Sequence, residues 1–136
     1  MKRQCPFPCA DDAAELEAEF AYAEPQPAAA GARLYSVAYG LPNTVAPLLK
    51  DKRVAIVDDA INAGSALRGT FHALVAAGAK PAVAGALIVL SDAACPFLAA
   101  NGLVLERLVT LATPLWAPEV CPLCARRAPL DSPPQS

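Results

Sequence analysis

The sequence predicts an α/β domain built on a parallel sheet, and three observations carry that prediction. Residues 54–57 form an apolar run that ends in two adjacent carboxylates, Asp58 and Asp59, and is followed by a turn of small residues and then by helical periodicity. Residues 82–90 are a continuous apolar run containing Val83, Ile88 and Val89, which suits a buried parallel strand. Residues 103–111 repeat the pattern after a short helical stretch, so strand, helix, strand, helix and strand alternate as right-handed crossovers require.

Size and composition bound the rest. A chain of 136 residues, 55% of them hydrophobic, is one domain's worth and can bury a core. A net charge of -2 provides no broad basic surface, which argues against nucleic-acid binding through charge. The first six residues carry Lys2 and Arg3 but no apolar run behind them, so no secretory signal is expected. Asp92 interrupts the longest apolar stretch, which therefore falls short of the roughly 20 residues that span a bilayer. The expectation is a cytoplasmic protein with no membrane partner, whose five cysteines are thiols or metal ligands before they are disulfides.

In chain order, residues 1–12 show no periodicity, and residues 13–19 favour a short helix capped by Asp11 or Asp12. That stretch is too acidic and too short to stand alone, so 1–19 reads as an irregular, partly helical segment. Residues 20–23 alternate aromatic and small side chains as a short strand does, and 24–31 is a loop by composition. Residues 34–38 alternate as a strand, with Tyr39 to Pro42 as its turn; 43–49 suits a short helix with Pro47 in its first turn. Lys50, Lys52 and Arg53 make a basic patch, read as a solvated loop face.

After the acid pair, Leu67, Phe71, Leu74 and Val75 form one apolar helical stripe, and Gly78 suits the C′ position that ends it. His72 falls between stripe positions and reads as a surface residue, two turns away from the small-residue loop. Residues 94–100 suit a short helix, with Cys95 as buried packing. Glu106 and Arg107 suggest that 103–111 lies at an exposed edge, and 131–136 reads as a disordered tail.

The stretch 52–69 holds the chemistry. In an open α/β sheet, ligands bind beyond the carboxyl ends of the strands, which is where Asp58 and Asp59 are expected. Backbone N–H groups of Ala63, Gly64, Ser65 and Ala66, converging on a helix N-terminus, can wrap an anion. Gly64 permits close approach or a positive φ, and Ser65 offers either a hydroxyl to the anion or a helix cap. Ionised Asp58 and Asp59 only accept hydrogen bonds, so they suit a vicinal diol or a divalent cation. An anion loop beside such a pair describes a ribose 5-phosphate. A receiver domain also has an acidic pair after a strand, but Asp92 is a poor phospho-acceptor and no Lys follows Lys80.

The run Val-Ala-Ile-Val-Asp-Asp-Ala-Ile-Asn-Ala-Gly-Ser-Ala, residues 54–66, resembles the phosphoribosyl pyrophosphate (PRPP) motif of type I phosphoribosyltransferases, and most closely that of the orotate branch. Residues 37–42 and the stretch Leu115-Trp116-Ala117-Pro118-Glu119-Val120-Cys121-Pro122-Leu123-Cys124 are similar to bacterial orotate-type members as well. The resemblance covers 20–130. It implies an α/β, Rossmann-like core that lacks the earlier βα unit and is incomplete at the N-terminus. It also implies transfer of the phosphoribosyl group of PRPP, with Mg2+, to a pyrimidine base such as orotate, by a homodimer. By family position, Asp58 and Asp59 are the catalytic acids, Asn62, Ala63, Gly64, Ser65 and Ala66 hold the 5-phosphate, and Asn62 also touches the base. Two positions depart from classical members. Ala93 follows Asp92 where those members carry an Arg for the base carboxylate, and the loop before Leu34 has only Arg33 as a nearby cation.

Two functions of different class follow: a phosphoribosyl-transferring enzyme, or a non-catalytic remnant that binds ribose phosphates or pairs with a complete partner. A zinc site from Cys5, Cys9, Cys121 and Cys124 is a separate possibility, although Cys5-x-x-x-Cys9 is an atypical spacing.

Overall fold

A computed structural model describes residues 13–26 and 38–129. Its centre is a three-stranded parallel sheet of β3 (Arg53–Ile61), β4 (Lys80–Val89) and β5 (Val104–Thr110), in the order β3-β4-β5. Helix α1 (Ser65–Ala76) connects β3 to β4, and α2 (Cys95–Ala100), entered through the 3-10 turn Asp92–Ala94, connects β4 to β5. The register pairs Ile56 with Ala84 and Asp58 with Ala86, and β5 continues it by pairing Ala84 with Leu105. A small antiparallel pair, β1 (Glu24–Pro25) and β2 (Tyr39–Gly40), and the 3-10 turn Ala46–Leu49 precede the sheet. The predicted α/β parallel-sheet class is therefore what the chain adopts.

The core lies on one face of the sheet. Leu67 and Leu74 of α1 and Leu98 of α2 pack in one cluster with Ile56, Ile61, Ala84 and Val89. Alanine at positions 84 and 86 keeps β4 thin and lets the helices approach closely. Three sequentially ordered parallel strands with right-handed crossovers place both helices on the same face. Val57, Leu87 and Leu108 point the other way and are 63%, 52% and 82% exposed. Residues 82–90, expected to be buried, are accordingly covered on one side only among the described residues.

Several local expectations are corrected. Helix at the N-terminal end is limited to residues 13–15, because a run this short and acidic nucleates poorly. No strand forms at 20–23; β1 falls at Glu24–Pro25 instead and pairs with Tyr39–Gly40, where a turn was expected. The strand expected at 34–38 lies outside the described residues but for Ala38, which is not in a strand. Val75 stands 100° around α1 from buried Leu74, past the edge of the stripe, and is exposed. Cys95 is exposed at the start of α2, whose inward face is supplied by Leu98. Pro47 does sit in the first turn of its 3-10 helix, His72 is exposed, and Gly78 closes α1 at φ 78°. The basic patch is a solvated face: Lys50, Lys52 and Arg53 are exposed, Lys52 is paired with Glu19, and nearby Lys80 is paired with Asp51 at 3.3 Å. Among the described residues no helix is long and apolar enough to cross a membrane.

Candidate functional site

β3 continues through the acid pair to Ile61, so Asp58 and Asp59 are the sixth and seventh residues of a nine-residue strand and not a turn beyond it. The carboxylates make this possible: Asp58 Oδ1 accepts from Asp59 N at 3.0 Å and Asp59 Oδ1 from Ala60 N at 2.8 Å. Side chains alternate along a strand. Asp58 is therefore half-buried and lines the cleft at the sheet's carboxyl end, while Asp59 is exposed at its shoulder.

That cleft, of about 240 Å3, is lined by Asp58 and by the unbroken stretch 60–67. It includes Asn62, Ala63, Gly64, Ser65 and Ala66, so five of the predicted loop residues and one of the two acids come together. Gly64 is the N-cap of α1 in the left-handed conformation, φ 76° and ψ 22°, and no side chain caps the helix. Ser65 is thus the first helical residue rather than the cap. The first N–H groups of α1 have no partner within the helix and open onto the cleft, where the helix dipole favours an anion. A Cβ at position 64 would lie 2.8 Å from that of Ala94, so glycine serves both the backbone conformation and the packing of loop against loop.

Two braces not assigned from the sequence hold the loop. Ser91 Oγ donates to the carbonyl of Asn62 at 2.8 Å. The Arg68 guanidinium donates to the carbonyl of Ala63, reaches the carbonyl of Ala93 at 3.5 Å and lies 5.9 Å over the Phe97 ring. Phe97 meets Phe71 edge-on at 5.2 Å. The signal for Arg68 was its place one turn after Gly64, where a long cation can fold back on the loop it follows. Among the described residues Asn62 Oδ1 is buried without a hydrogen-bond partner, at a cost of about 1–3 kcal/mol, so it is an acceptor available to a ligand N–H.

Burial, together with a hydrogen bond and charge from Asp59, pushes the Asp58 carboxyl up to about 6, against a smaller pull from the Asp59 N–H. The neutral form is favoured in the fold, so the contribution of Asp58 to stability is most favourable at and below about pH 4 and declines as pH rises from 4 through 6. Asp58 is only half-buried, and after solvent screening that decline is about 1 kcal/mol. A ligand whose hydroxyls donate to the ionised form follows the opposite trend: its affinity is expected to fall about tenfold per pH unit below 6 and to level above it. Titrating ribose 5-phosphate from pH 5 to 8 checks this, with Asp58→Asn expected to flatten the lower limb.

The other candidates are dispersed. Asp92 and Ala93 are exposed on the turn after β4. Arg33, Cys5 and Cys9 lie outside the described residues. Cys121 is the N-cap of the short helix α3 (Pro122–Ala125) and Cys124 lies within it, and neither lines the cleft. Among the described residues no three His, Cys, Asp or Glu side chains gather as a metal site.

A parallel sheet with a cleft at its carboxyl end defines an open-sheet α/β domain. Within that class the fold is like that of an orotate phosphoribosyltransferase of known structure. The chain is similar to an orotate phosphoribosyltransferase of Thermotoga maritima, 30% identical over 82 residues, which make up 60% of this chain and 42% of that protein. Its structure is similar to the crystal structure of an orotate phosphoribosyltransferase from Aeropyrum pernix, with a TM-score of 0.56 and 23% identity over 75% of this chain and 52% of that one. The chain thus spans about half the length of these relatives. No family model matches it.

Proposed function

We propose that the cleft binds the 5-phosphoribosyl group of PRPP and that the chain works in phosphoribosyl transfer to a pyrimidine base. One observation carries this reading: a helix N-terminus without a side-chain cap and a half-buried carboxylate share one cleft. The amides at 63–66 take the 5-phosphate, and Asp58, with Asp59 beside it, takes the ribose hydroxyls. A nitrogen of the base attacks the anomeric carbon as its bond to pyrophosphate breaks. The two carboxylates orient the ring and offset the oxocarbenium charge that develops. Asn62 Oδ1, the unpaired acceptor, meets an N–H of the base.

The Mg2+ that accompanies PRPP in this reading takes hard oxygen ligands. Asp58 and Asp59 are such donors, and a carboxyl held as high as about 6 gains from nearby positive charge. When bound, the ion would neutralise the leaving pyrophosphate.

A specific observation supports a second reading, that of a binder without turnover. Arg68 is the cation nearest the loop among the described residues, and its guanidinium is engaged with the Ala63 and Ala93 carbonyls rather than presented to a pyrophosphate. Ala93, moreover, offers no bidentate partner to the carboxylate of orotate. Both readings predict that PRPP with Mg2+ raises the melting temperature by several degrees at concentrations near 100 Kd. Absence of any shift would remove both. Pyrophosphate release over a panel of pyrimidines separates them: steady release with any base establishes the enzyme, and binding without release establishes the binder without turnover.

A further inference from the structure

We propose that Ser91 and Arg68 are positioning residues for the anion: each grips the carbonyl end of one peptide unit of the loop, and so aims and strengthens the N–H at its other end. The inference rests on the reading that this loop takes the 5-phosphate. Ser91 Oγ donates to Asn62 O at 2.8 Å, and the nitrogen of that same peptide unit is Ala63 N. The Arg68 guanidinium donates to Ala63 O, and the nitrogen of that unit is Gly64 N. The peptide bonds of the described residues are all trans, so the C=O and N–H of one unit point in opposite directions. Two side chains that hold consecutive carbonyls from behind therefore turn two consecutive N–H groups the other way, and both residues that carry them line the cleft.

The hydrogen bonding of this stretch is one-sided. Both carbonyls are taken, yet among the described residues neither the Ala63 nor the Gly64 N–H donates to any other group. Backbone donors seldom go without a partner, so a pair left open at a cleft is placed to receive an acceptor from a ligand.

Each brace is itself held, and both are anchored on the turn after β4. Ser91 Oγ accepts from Ala93 N at 3.4 Å, so the Ala93 N–H, the Ser91 hydroxyl and the Asn62–Ala63 peptide form a chain in which each bond polarises the next. Arg68 reaches Ala93 O at 3.5 Å and lies over Phe97, which Phe71 and His72 meet edge-on at 5.2 and 5.8 Å. A charged donor makes a stronger hydrogen bond than a neutral one, so the Gly64 N–H is the more strongly polarised of the two. Amides fixed in this way need no reorganisation when a phosphate arrives, which is what raises affinity without adding a contact to the ligand.

The test uses the full chain, 15N-labelled, with ribose 5-phosphate as the probe. In the free protein, Ser91→Ala is expected to move the Ala63 amide resonance most among residues 62–66, and Arg68→Gln the Gly64 resonance, because loss of a donor on a carbonyl alters the N–H of the same peptide unit. Each of these variants is expected to bind ribose 5-phosphate about fivefold more weakly than the parent. Arg68→Lys, which keeps a cationic donor for Ala63 O, should recover most of that loss. Ser91→Ala removes a single oxygen, so its result stands even if Arg68→Gln loosens the start of α1. A merely structural role would instead move resonances throughout α1 and the sheet and would not be relieved by lysine, and that outcome overturns the proposal. Unchanged affinity in Ser91→Ala and Arg68→Gln, beside a parent that binds, overturns it as well and leaves the phosphate reading standing. A parent that does not bind ribose 5-phosphate removes that reading and this inference together.

Discussion

Gly64→Val is expected to abolish the PRPP-dependent rise in melting temperature and to destabilise the free protein by about 2–4 kcal/mol. Two costs combine. A side chain at φ 76° sits in the left-handed region, which costs a residue with a Cβ roughly 1–2 kcal/mol. The added Cβ would also stand 2.8 Å from that of Ala94, so either the phosphate loop or the turn after β4 must shift. Shifting either breaks the alignment of the first amides of α1, which is why binding fails along with stability. Gly102→Ala separates the two costs. Gly102 has a φ of 64° with open space around it, so alanine there should cost only about 1 kcal/mol and leave ligand binding intact. Denaturant melts with and without PRPP measure both quantities. A Gly64→Val protein that still binds would show that the loop is not the phosphate site.

The double change Asp58→Asn with Asp59→Asn is expected to weaken PRPP binding at least a hundredfold while leaving the free fold as stable as before at pH 7. Asparagine retains an oxygen that can accept from Asp59 N and Ala60 N as the carboxylates do, so the local backbone geometry is kept. What disappears is charge. Hydrogen bonds from sugar hydroxyls to an ionised acceptor are worth about 1.5–3 kcal/mol each, against about 1 for a neutral one. Removing a half-buried carboxyl that resists ionisation also relieves the fold above pH 6, so stability should hold or rise. Parallel loss of stability and binding would instead mark the acids as structural.

How far the sequence could be read depended on which force governs each part. Where burial decides, the pattern was sufficient: Leu67, Leu74 and the runs of β3, β4 and β5 declare a helix on a parallel sheet through periodicity alone. Gly64, read as permitting close approach or a positive φ, does both. Reading failed where a local hydrogen bond competes with propensity. An acid pair looks like the end of a strand, yet Asp58 and Asp59 cap the amides that follow them and β3 runs on to Ile61, which sets Asp58 in the cleft and Asp59 at its shoulder. Cys95 was misplaced because composition cannot tell the first residue of a short helix from its inward face. The bracing roles of Arg68 and Ser91 were not legible, since a donor that braces a carbonyl from another turn leaves no periodic trace.

The central claim is that the start of α1 receives a sugar phosphate beside Asp58. It is tested most directly by the amide resonances of Gly64, Ser65 and Ala66 in a 15N-labelled sample titrated with ribose 5-phosphate. Saturable shifts concentrated on those three amides and on Asp58, larger than anywhere else in the chain and lost in the Asp58→Asn, Asp59→Asn protein, are the predicted result. Shifts that centre on another surface, or none at millimolar ligand, would contradict the account.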